Sequence, residues 1–96
     1  MVVIRVLLTV KQEHASAFFE YMQRESTEVR KIEGCNRYQV YGVPHTGDFL
    51  LYEEWASKEA FDAYRALPII QKTREVIGPM LAAPPESAYY ETRVFK

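Results

Sequence analysis

The chain has 96 residues, 13 Asp and Glu against 12 Lys and Arg, and one cysteine. That length supports one core, so residues 1–96 read as a single domain. A net charge of −1 without a basic run gives nucleic acid no phosphate track, and one Cys with two His excludes an internal disulfide and a four-ligand Cys/His zinc site. The lone thiol fits a reducing cytoplasm. The opening MVVIRVLLTV is apolar, but it is too short to span a membrane and is broken by Arg5. It reads as a core strand over residues 2–10. Val2, Ile4, Val6, Leu8 and Val10 line one face of that strand, while Arg5 and Thr9 punctuate the other.

A long helix is expected from Gln12 to Ile32. Ala15, Phe18, Phe19, Met22, Val29 and Ile32 form its apolar stripe. Gly34 stops it, because glycine enters the left-handed conformation without penalty. Cys35–Val43 reads as a second strand, and the turn chemistry of residues 44–48 joins it to a third as a hairpin. The stretch DFLLYEEWASKEAFDAYRAL then runs a strand straight into a helix. Ser57 is the expected N-cap, Glu59 suits the positive helix end, and Ala60, Phe61, Tyr64 and Leu67 recur at helical spacing. Pro68 ends or kinks that helix. A shorter third helix is expected beyond it, interrupted at Gly78-Pro79, and residues 87–95 close the chain as a fourth strand. The order β-α-β-β-α-(α)-β is that of an α+β, ferredoxin-like fold, with helices on one face of the sheet. The half-apolar open face, with Val3 and Leu7 beside Arg5 and Thr9, invites pairing with a second sheet.

Glu33-Gly34-Cys35, Arg37-Tyr38, the strand FLLYEEW and the following SKEAFDAY resemble the antibiotic biosynthesis monooxygenase family. The resemblance runs from VLLTVKQEH to the final strand. It implies a ferredoxin-like protomer whose sheet pairs with a second copy, a homodimer forming a dimeric α+β barrel. It also implies a cofactor-independent oxygenase acting on a small hydrophobic phenol, quinol or polyketide-like ring. The family's anthrone oxygenases carry an Asn four residues before a Trp, a Tyr on the next helix and a later Arg. Trp55 and Arg74 match the Trp and the Arg, whereas Leu51 and Phe61 stand at the two polar positions. Haem-degrading members need an Asn on the first strand and a His near residues 69–77. This chain has neither, so no haem cofactor is expected. Where many quinol-oxygenase-like members have a His, this chain has Tyr64.

The residues themselves allow the chemistry that this likeness implies. Arg74 is a permanent cation able to stabilise a substrate anion. Trp55 and Phe61 could stack on a flat ring, and Tyr64, Tyr52 or Glu53 could exchange a proton. Leu51, Tyr52, Glu53 and Phe61 are thereby the expected pocket residues, and Trp55, Tyr64 and Arg74 the expected catalytic set. Each has a plainer role as well. Trp55 can anchor the core, Arg74 can sit in solvent, and Tyr64 can simply pack. Glu53 and Glu54 point to opposite faces of the strand, so at most one enters a given cavity. His14 and His45 read as solvated, and Cys35 as a small buried hydrophobe. No nucleophile–base–orienter set can be assembled. The oxygenase expectation requires Trp55 and Arg74 to line one cavity between helices and sheet, with the guanidinium inward.

Overall fold

The alternation of the first strand fixes one layer of the molecule. In the computed structural model, which describes residues 1–96, β1 (Val2–Thr9) buries Val2, Ile4 and Leu8, and Val10 just beyond it is buried too. The elements that follow are α1 (Ala15–Val29), β2 (Cys35–Gly42), β3 (Asp48–Trp55), α2 (Lys58–Arg65), α3 (Pro68–Ile77) and β4 (Glu86–Glu91). The four strands make one antiparallel sheet in the order β2-β3-β1-β4, the arrangement of a ferredoxin-like α+β fold. No helix is long and apolar enough to cross a membrane.

Phe49, Leu51, Glu53 and Trp55 of β3 turn toward the helices, and each is buried. Their cross-strand partners on β1 are Leu8, Val6, Ile4 and Val2, so the two central strands present one continuous inner face. Phe18, Met22 and Val29 of α1 and Phe61 and Tyr64 of α2 pack against it. At β2 an irregularity between Cys35 and Arg37 inserts one residue. As a result Cys35 and Tyr38, three apart in sequence, lie opposite Trp55 and Glu53 on the same face.

The elements depart from the sequence expectation at their ends. The first helix opens with a 3-10 turn over Gln12–His14 and stops at Val29, not Ile32. Ser26, absent from the expected stripe, is wholly buried because its Oγ donates 2.6 Å to the Met22 carbonyl and so carries no unpaired group inward. Phe19 is 38% exposed, stacked on Phe49 at the edge of the core. Pro68 does not end α2, which is already over at Arg65. It starts α3 instead, in the first turn, where the missing N–H has no helical acceptor to satisfy. α3, at ten residues, is longer than the eight-residue α2, and a 3-10 turn over Gly78–Met80 follows it. The last strand ends at Glu91, and Val94 and Phe95 beyond it are exposed.

The Ser57 cap matches its sequence reading, whereas Gly34 takes the expected left-handed conformation in the turn before β2 and not at the end of α1, which stops at Val29. The Ser57 hydroxyl accepts from the Ala60 N–H at 3.1 Å and caps α2. Gly34 has φ +88°, and a Cβ there would lie 2.5 Å from the Ala60 Cβ. Gly34→Ala therefore meets both left-handed strain and a clash with α2. Urea denaturation is expected to show a loss of roughly 2 kcal/mol or more, and an unchanged midpoint would contradict this account of the α1–β2 junction.

Candidate active site

Period-two alternation along β3 carries Glu53 into the layer between sheet and helices, two residues before Trp55 on the same face. Glu53 is 5% exposed and no cation pairs with it. Its one side-chain partner is the Trp55 indole, whose Nε1–H donates to Glu53 Oε1 at 2.9 Å. Burial disfavours the carboxylate and pushes the Glu53 pKa up to about 7, against a partial opposing effect of the indole hydrogen bond. Half the population is thus ionised near neutral pH. That is the condition in which a carboxyl group can both take and return a proton.

The Glu53 side chain meets a cavity of ≈ 210 Å³. Ile4, Leu51 and Tyr38 form its sheet wall beside Glu53. Phe61 and Tyr64 of α2, with Ile70, Thr73 and Arg74 of α3, form the helical wall. Tyr38 is the cross-strand neighbour of Glu53, and its hydroxyl lies 3.4 Å from that of Tyr64. One hydrogen bond uses one of the two phenolic protons, so the other O–H remains available to a ligand oxygen. Burial raises the pKa of both tyrosines, that of Tyr38 well above the usual value, and the Glu53 charge adds to each shift. Both stay protonated donors at neutral pH. A broader groove of ≈ 360 Å³ between α2 and β4 combines apolar groups such as Val2 and Phe61 with charges such as Lys58, Asp62 and Arg65, and none of its polar groups is buried. The smaller space, with the buried Glu53 on its wall, is the candidate site.

The sequence model of the antibiotic biosynthesis monooxygenase family matches residues 1–76, a span containing every cavity residue just named. The chain belongs to that family. Over 58 residues it is 31% identical to a protein of Mycobacterium tuberculosis named "Putative monooxygenase Rv0793", a match covering 60% of this chain. The matched segment spans 57% of that relative's length. The solved structure of Rv0793 superposes with a TM-score of 0.87 at 22% identity, covering 98% of this chain and 96% of that one. A crystal structure from Deinococcus radiodurans, ascribed to the same family, superposes with a TM-score of 0.91 at 22% identity, covering 100% and 96%. At those identities the superpositions establish the fold alone.

Within this antibiotic biosynthesis monooxygenase fold, the expected site residues separate into three groups. Leu51, Glu53, Phe61, Tyr64 and Arg74 share the cavity. Trp55 does not line it. The indole is fully buried and sealed behind Tyr64, on which it stacks at 4.6 Å and 23°. The expected shared wall of Trp55 and Arg74 is therefore corrected, because the space beside the indole is filled by the Tyr64 and Phe61 rings. Trp55 touches the site through its hydrogen bond to Glu53 and its stack on Tyr64. Tyr52 is also corrected as a pocket residue. Alternation turns it to the open face of the sheet, where its hydroxyl donates to Glu54. Tyr38 was not among the expected site residues. The bulge at Asn36, invisible in an apolar pattern, is what brings it beside Glu53.

The buried carboxyl ties stability to pH. Glu53 is protonated in both folded and unfolded chains below about 4.5, and only the folded chain keeps that proton up to about 7. Stability therefore falls as pH rises through this window, by roughly 3 kcal/mol in all. Glu53→Gln keeps an acceptor for the indole but cannot ionise. Urea unfolding from pH 4.5 to 7.5 should show wild type losing about 3 kcal/mol relative to the variant, whereas parallel pH curves would contradict the burial of an ionisable group here. Trp55→Phe removes the donor that favours the carboxylate, so the midpoint of the same transition should move to higher pH.

Proposed function

We propose that this protein is a cofactor-independent monooxygenase that oxidises a small hydrophobic phenol, quinol or polyketide-like ring, with Glu53 as its proton acceptor. Glu53 stands in place of the Trp55–Arg74 wall that the sequence expectation required and that is not formed, since Trp55 is sealed behind Tyr64 and Arg74 is exposed. The observation that carries this reading is a buried carboxyl group without a cationic partner, poised near neutrality on the wall of a largely apolar cavity. Glu53 removes the phenolic proton, and the free O–H of the Tyr38–Tyr64 pair donates to the resulting oxyanion. The electron-rich anion gives one electron to dioxygen, and the two radicals join at a ring carbon to form a peroxide. Heterolysis of its O–O bond then leaves one oxygen on the ring as a quinone carbonyl. The other oxygen departs as water, carrying the proton from Glu53 and the one lost from the ring carbon. The phenol gives up four electrons and dioxygen accepts four, so no further reductant is needed.

The cavity volume bears on substrate size. At interior packing density, about 0.74 of the space, ≈ 210 Å³ suits one or two fused rings better than three. Arg74, exposed on the α3 rim, acts on ligand charge rather than on the proton held by Glu53. A second reading, a barrel that binds an apolar ligand without oxidising it, is favoured by Leu51 and Phe61. Both are apolar where the resemblance to anthrone oxygenases calls for polar groups.

The sheet's open face belongs to the same proposal. Leu7, Tyr41 and Tyr90 stand there 40%, 49% and 46% exposed, beside the Arg37–Glu54 pair and an Arg5–Tyr90 hydrogen bond. A second copy covering this face would form the dimeric barrel. Light scattering at micromolar concentration is expected to give the mass of two chains, and the mass of one would remove the dimer from the account.

Oxygen uptake with one- and two-ring quinols in metal-free buffer tests the reaction. Turnover should rise with pH, half-maximal near 7, and Glu53→Gln should lower it by about 10²- to 10⁴-fold. Absence of uptake with every ring tested would leave the ligand-binding reading in its place.

A further inference from the structure

The charged groups that line the cavity differ in their burial. Glu53, with the Tyr38 hydroxyl beside it, is buried on the sheet. The other two are exposed arginines, Arg65 of α2 and Arg74 of α3. The two arginines are not equivalent. Arg65 is already engaged, 2.9 Å from Asp62 and 4.6 Å above the Phe61 ring. The Arg74 guanidinium makes no ion pair and no hydrogen bond to any other group. The sequence leaves it so. The positions three and four residues away on α3 and its end are Gln71, Ile70, Ile77 and Gly78, none of which is acidic. The only acid among the cavity residues is Glu53, which is buried.

A permanent cation without a partner on the rim of an apolar cavity is suited to hold an anion carried in by the ligand. Metal-free phenols and quinols without an acidic substituent would leave it unused. We propose that the ligand is a one- or two-ring phenol bearing a carboxylate, with its hydroxyl toward Glu53 and Tyr38 and its carboxylate held at the rim by Arg74. The phenolic end of this assignment rests on the oxygenase reading, and the carboxylate end rests on the charge arrangement alone. Arg74 is then a specificity-determining residue. Loss of its guanidinium weakens acidic ligands and leaves neutral ones unaffected, an asymmetry that a merely structural helix residue would not produce.

Calorimetric titration of the full chain with 6-hydroxy-2-naphthoate and with 6-hydroxy-2-naphthamide, its neutral counterpart of similar shape, tests this directly. Wild type should bind the carboxylate at least about tenfold more tightly than the amide, as expected for a charge-assisted contact. In Arg74→Gln that preference should fall to within about twofold, with affinity for the amide retained, while Arg65→Gln should keep most of it. Equal affinities in wild type, a preference that survives Arg74→Gln, or no binding of either compound would overturn the proposal. Binding is read without turnover. A clear carboxylate preference with no oxygen uptake would therefore uphold the ligand class while removing the oxygenase reading. Oxygen uptake with neutral quinols and no carboxylate preference would do the reverse.

Discussion

A single hydrogen bond, from the Trp55 indole N–H to the Glu53 carboxyl, ties the candidate site of this molecule to its core. Both residues lie on the inner face of β3, and both are almost or wholly removed from water. An isolated carboxylate in such a place carries a large desolvation cost, which the protein meets partly by raising the pKa and partly by supplying one fixed donor. The indole cannot turn away to make another bond, because Tyr64 stacks on one side and Phe61 packs near it. The aromatic cluster that stabilises the α2–β3 junction therefore also fixes the orientation of the acid.

Packing and function are coupled through this arrangement. Glu53 contributes less to stability as pH rises, since the fold must then accommodate a charge with no cationic partner. Such a cost is common where a group is kept poised for proton transfer. The neighbouring Tyr38 and Tyr64 hydroxyls add donors without adding charge, because burial keeps both protonated. The result is a cavity with a buried carboxyl group and two phenolic hydroxyls on its wall and exposed arginines among its lining residues.

Much of the architecture was legible in the sequence because it rests on local rules. Alternation in β1 identified the buried face, Ser57 marked the start of α2, and Gly34 marked the turn where only a residue tolerant of φ +88° fits. Element ends were less legible. Ser26 looks polar in sequence but closes its own hydrogen bond inside the helix, and Pro68 can either stop one helix or start another. The site was harder still. Glu53 could be placed on one face of β3, but its lack of a cationic partner depends on residues far away in the chain. The bulge at Asn36 that brings Tyr38 beside it has no hydropathy signature. Trp55 was misassigned to the cavity wall because an aromatic at a strand–helix seam can face a ligand or a neighbouring ring. The Tyr64 side chain decides between them.

The central claim is that Glu53 is a buried carboxyl group titrating near neutrality. Carbon-13 NMR of the glutamate side-chain carboxyls, followed from pH 4 to 9 with Glu53 identified by the loss of its signal in Glu53→Gln, measures this directly. The account predicts a midpoint of about 7 for that resonance, set apart from the other glutamates. A midpoint at the ordinary value of 4.5 would contradict it.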